Sequence, residues 1–199
     1  MFSIPFSKRL ETRVLSWFRR RAQARRRAID FYGAIVARAR EPAIFARHCV
    51  SDTPEGRTAV IILLMYPVLE RLQSGGSSER RIARYLSEAF VTDIDDCLRE
   101  MGVGDISVPK KVKRAAQALG QRCIAYGRAA RAPDPVAALA EELQTTVPGL
   151  ETNRVGAEAL ARLTLKFAAG IGALSTDTLL SGKLALPDIA DVAAPSAQS

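Results

Sequence analysis

Residues 79–101 read ERRIARYLSEAFVTDIDDCLREM. Ile82, Tyr85, Leu86, Ala89, Phe90, Ile94, Cys97, Leu98 and Met101 recur at steps of three and four and form one wide apolar face. That is the pattern of a helix with one side in a core. Gly102 suits the position just past a helix end, where φ is positive, and Gly104 suits a tight return. Ser107 is placed to cap the next helix, with Pro109 in its first turn. Val108, Val112, Ala115, Ala116, Leu119, Cys123 and Tyr126 then fall on one side. A connection as short as 102–106 makes the pair an antiparallel helical hairpin.

The flanks read the same way. Upstream, Thr53 is a cap with Pro54 at the first helical position, and the helix runs to about residue 72 with a kink expected near Pro67. SGGSS, 74–78, reads as a loop. Before that, residues 28–40 carry Ile29, Tyr32, Ile35, Val36 and Ala39 at helical spacing, interrupted at Glu41-Pro42. Downstream, Asp134-Pro135 opens a helix, 153–171 forms another, and Ser175 caps a last short turn ending at Ser181-Gly182. No alternating strand pattern and no internal repeat is visible. The expected fold is all-α, a single-domain helical bundle spanning 28–186. An N-terminal basic amphipathic helix (1–27) precedes it, and a disordered tail (187–199) follows.

Charge marks the first of these boundaries. Residues 1–27 hold nine Lys and Arg against one Glu, which equals the +8 of the whole 199-residue chain. The other 172 residues hold 20 of each sign. Within the arm Leu10, Val14, Trp17 and Phe18 share one side, and Arg19, Arg20, Arg21, Arg25, Arg26 and Arg27 stand around them. A helix of this kind suits an anionic membrane surface, or phosphates such as those of RNA, or packs its stripe on the body. Its Arg-rich, acid-poor composition is also that of a mitochondrial transit peptide.

Several chemistries are excluded or weakened. The longest apolar run, 59–69, has 11 residues and contains Pro67, against the roughly 20 of a membrane span. Three scattered Cys and one His supply neither a disulfide framework nor a zinc site. Cys49, Cys97 and Cys123 read as small buried side chains or free thiols. His48-Cys49 is not a nucleophile pair, because adjacent side chains diverge. No metal or other cofactor and no small-molecule substrate is expected. The remaining constellation is acidic: Asp93, Asp96 and Glu100 form a ridge at i, i+3, i+7, and Asp93 falls inside the apolar face. A carboxylate there needs a partner. It either lines a groove that takes a basic or polar element, or is clasped by Arg or Lys of a neighbouring helix, with Lys110, Lys111, Lys113 and Arg114 near in sequence. A small helical enzyme using these carboxylates is a third reading.

Residues 93–113, DIDDCLREMGVGDISVPKKVK, resemble the signature region of the ubiquinol–cytochrome c chaperone family, whose members assist assembly of the cytochrome bc1 complex. A second block resembles the family's opening: Phe31-Tyr32-Gly33-Ala34-Ile35-Val36, Ala39-Arg40, Pro42, Asp52-Thr53 and Gly56-Arg57. Arg122 with Tyr126 is a third trace. The likeness covers about residues 28–130; the C-terminal third is similar only in being helical. The chain departs from the pattern at Thr58, Leu64, Pro67 and Ala118-Leu119. The resemblance implies a non-enzymatic chaperone that engages newly made cytochrome b, or another bc1 subunit, near the membrane. A bacterial version would work at the cytoplasmic face of the inner membrane, a mitochondrial one at the matrix face beside the ribosome. Tyr32, Asp93, Asp96 and Glu100 are then the expected client-binding residues, and the arm is the expected contact to membrane or ribosome.

Overall fold

A computed structural model describes residues 6–181, with side chains from Trp17 onward. The expected tail at 187–199, the end of the last turn at Gly182, and the side chains of Leu10 and Val14 lie outside the described residues. Among those residues there are eight helices and no strand: α1 (Phe6–Ala39), α2 (Pro42–His48), α3 (Pro54–Gln73), α4 (Ser77–Glu100), α5 (Val108–Ala129), α6 (Pro135–Thr146), α7 (Arg154–Gly172) and α8 (Thr176–Ser181).

The centre is α3. Twelve of its 20 residues are buried, because a helix apolar on nearly every side can only sit inside a bundle. It touches α1, α4, α5 and α7, which surround it; α6 pairs with α7, and α2 rests on α7. Phe31, Ile35, Leu63, Met65, Leu72, Ile82, Leu86 and Phe90 are fully buried there, each contributing about 1.5–3 kcal/mol of burial. α3 continues through Pro67, itself buried. Caps follow the sequence closely. Gly56 N–H donates to Thr53 Oγ1 at 3.1 Å, Ala137 N–H to Asp134 at 3.0 Å, and Thr178 N–H to Ser175 Oγ at 3.1 Å.

Several expectations need correction. The arm and the 28–40 segment are one helix, α1, unbroken at residue 27, since arginine is as good a helix former as leucine. Ile29 is 55% exposed; the buried stripe of α1 is Ala24, Ala28, Phe31, Tyr32, Ile35 and Ala39. α2 was not foreseen. α4 begins at Ser77, inside the expected loop, because buried Glu79 accepts the Gly76 N–H at 2.9 Å and closes its first turn. Ser107 stands before α5, but its side chain makes no cap bond. Burial in α4 stops at Phe90: Cys97 is exposed and Met101 is 61% exposed.

α1 and α4 run side by side in the same direction. Arg21 Nε donates to Tyr85 Oη at 3.2 Å, and eleven residues later on α1 Tyr32 meets Asp93, eight residues later on α4. The basic end of α1 therefore lies at the start of α4, and the α4–α5 turn at the far end.

Candidate client-binding groove

The out-of-pattern carboxylate finds its partner on α1. Tyr32 Oη donates to Asp93 Oδ2 at 2.7 Å across 61 residues of sequence. Asp93 is half-buried and Tyr32 only 9% exposed. Burial, and next the bonded Asp93, push the Tyr32 phenol above its ordinary range, so it stays protonated and keeps donating. This bond sits at one wall of a groove of about 320 Å³ between α1 and α4. Ile29, Tyr85 and Ala89 supply apolar surface; Glu88, Asp93 and Asp96 supply acid; among the described residues Arg25 is the one cation of the lining. Three carboxylates beside exposed hydrocarbon fit a segment that carries both an apolar and a basic side chain.

The structure brings together Tyr32, Asp93 and Asp96. Glu100 is exposed and does not line the groove. The expected clasp to Lys110, Lys111, Lys113 or Arg114 does not form among the described residues. Asp95 instead pairs with Arg99 of its own helix at 2.7 Å, and Arg99 reaches Asp105 at 2.8 Å. The latter pair braces the α4–α5 turn. There Val103 N–H bonds the Leu98 carbonyl and Gly102 N–H the Arg99 carbonyl, both at 3.0 Å, with Gly102 at φ +74°. This is a Schellman helix end, which Gly102 was expected to supply. The turn also exposes Ile106, 97% accessible.

On the basic half of α1, residues 17–23 are all exposed. Trp17 and Phe18, 41% and 58% accessible, pack edge to face at 4.8 Å, and the Arg21 guanidinium lies 4.5 Å over the indole. Arg19, Arg25, Arg26 and Arg27 form no ion pair among the described residues.

A second groove, about 490 Å³, was not legible in the sequence. Leu69, Val91, Leu119, Cys123 and Ile124 line it between α3, α4 and α5, and an Arg131–Glu70 ion pair closes one end. Burial pushes the Cys123 thiol up to about 12. The opening block of the resemblance divides in two. Tyr32 reaches the first groove, whereas Arg57 and Asp52 form an exposed ion pair at 2.6 Å that fixes the loop before α3. Tyr126 is core, its hydroxyl 2.8 Å from Thr146 Oγ1. His48 is buried with Nδ1 unpartnered, and Cys49 beside it is exposed, at φ +56°. Among the described residues no cluster of metal-ligating side chains occurs, and no helix is long and apolar enough to cross a membrane.

The family model described as ubiquinol–cytochrome C chaperone matches residues 46–186. The chain belongs to the ubiquinol–cytochrome c chaperone family. Membership extends through α6 and α7, further toward the C-terminus than the quoted motifs reach, and begins after Phe31–Pro42. Among solved structures, the crystal structure of the Cbp3 homolog from Brucella abortus is similar, with a TM-score of 0.79 and 30% identity over 90% of this chain and 99% of that one. No curated protein matches the chain in sequence. In this family member the groove at Tyr32–Asp93 joins α1, upstream of the matched region, to α4 within it.

Proposed function

We propose that the chain is a non-enzymatic assembly chaperone for the cytochrome bc1 complex, holding newly made cytochrome b or another bc1 subunit through the α1–α4 groove. Membership of the ubiquinol–cytochrome c chaperone family supports the class of activity. The observation that carries the site is the Tyr32–Asp93 bond, which holds a carboxylate in a groove whose lining is both apolar, at Ile29, and acidic, at Asp96. The client is then an apolar chain bearing a Lys or Arg near its docking residues. Glu100, outside the groove, serves as a second acidic contact one turn beyond Asp96. The role is holding, without turnover.

The arm gives the chaperone its place: the cytoplasmic face of a bacterial inner membrane, or the matrix face of a mitochondrial one. A second reading, a module that binds ribosomal RNA through Arg19, Arg20, Arg21, Arg25, Arg26 and Arg27, draws on the exposure of that helix. The test is photocrosslinking in the native organism, with a photoreactive residue at Glu88. The expected adduct is cytochrome b, lost with Asp93→Asn. Capture without any bc1 subunit, together with normal bc1 levels in a deletion strain, would falsify the proposal.

A further inference from the structure

Of the aromatic pair on α1, Phe18 is aligned with the groove, and Trp17 stands about 100° around the helix from it. At 100° per residue, Phe18, Arg25 and Ile29 fall within about 20° of one line along the helix. Arg25 and Ile29 line the groove; Phe18 lies some 10–17 Å before them on the same side. The surface between is continuous: the Trp17 indole under Arg21, Arg21 bonded to Tyr85, and Tyr85 in the groove wall. The cationic surface extends onto α4, where Arg84 lies 5.1 Å over the Tyr85 ring.

We propose that α1 docks on an anionic lipid bilayer through Trp17 and Phe18, and that this docking turns the groove's mouth toward the headgroup layer. Charge complementarity is one argument: nine basic groups and one acid in residues 1–27, each cation near an anionic surface adding to the attraction. Hydrocarbon is the other. Phe18 and Ile29 are 58% and 55% accessible, and an interface that accepts rings and alkyl groups satisfies them where phosphate alone does not. A nucleobase stacks on an open ring, but one face of Trp17 is already covered by Arg21 and Phe18 packs against it edge to face. The inference rests on the groove as client site only for its consequence: an apolar subunit would be met where it emerges from the membrane.

Trp17 is the single tryptophan of the chain, so its emission reports on this site alone. The full-length protein is mixed with vesicles of phosphatidylethanolamine containing about 30 mol% phosphatidylglycerol. The expected result is a blue shift and protection from aqueous quencher, absent with neutral phosphatidylcholine vesicles and reversed by salt. Phe18→Ser, on an exposed position that leaves the fold intact by circular dichroism, lowers partitioning by roughly tenfold. Orientation is read in a Trp17→Phe background: with headgroup-spin-labelled lipid, Ile29→Trp is quenched and Gln23→Trp, exposed and about 120° around α1 from it, is not. No shift on anionic vesicles, a shift produced by single-stranded RNA alone, or equal quenching at 23 and 29 overturns the proposal. No client is present, so this failure is distinct from failure of the chaperone reading.

Discussion

At the scale of single residues, the Tyr32–Asp93 bond separates two roles that usually fall together. Tyr32→Phe removes the donor and leaves a half-buried carboxylate unpaired, so it should lower unfolding stability by about 1–2 kcal/mol in denaturant titrations. Asp93→Asn keeps an acceptor for the phenol while deleting the charge. It should cost less than Tyr32→Phe yet abolish client crosslinking, which makes it the cleaner probe of recognition. His48 predicts a pH dependence. Burial, and next Arg47, hold its imidazole below the usual value of 6.5. Below about pH 6.5 the unfolded chain therefore takes up a proton that the folded chain refuses, and stability falls as pH falls, by at most about 1.4 kcal/mol per pH unit. Thermal melts between pH 7.5 and 5 should show this slope, and His48→Leu, which also removes the unpartnered Nδ1, should flatten it.

At the scale of elements, two glycines hold the joints. Gly102 ends α4 at φ +74°, so Gly102→Ala should cost about 1 kcal/mol. At Gly56 a methyl group would stand 1.9 Å from the Ser51 carbonyl oxygen, a backbone atom that cannot move without the loop. Gly56→Ala should therefore be the worse of the two in the same melts. The long amphipathic elements were legible because each keeps one stripe at a 3.6-residue period, and α3 was legible from its cap and its apolar run; α4 came within two residues of its bounds, and α5 begins directly after Ser107. α2 escaped because seven residues make barely two turns, too few to establish a period. The division of α1 into arm and body helix followed charge, and charge does not break a helix. Asp93 was legible as a carboxylate inside an apolar face. Its partner was not, because nothing in sequence pairs residue 93 with residue 32; only the family likeness drew attention to Tyr32. The second groove depends on how α3, α4 and α5 meet, which no local pattern encodes.

At the scale of the molecule, the chain is a bundle built around α3 with a helix longer than its own packing requires. Among the described side chains of α1, Ala24 is the first that is buried, and every residue from 17 to 23 is exposed. Deleting residues 1–19, which spares Arg21 and Tyr85, should thus change the melting temperature by less than about 2 °C, while vesicle binding is lost. A larger fall would mean that the arm is part of the core. The pairing of α1 with α4 also has a consequence in time. The two walls of the groove are made 61 residues apart. At ribosomal elongation rates of 5–20 residues per second, α1 is complete roughly 3–12 s before the acidic wall exists. On the proposed reading, α1 can meet its surface early in the protein's own synthesis, whereas the groove can take a client only once about half of the chain has been translated.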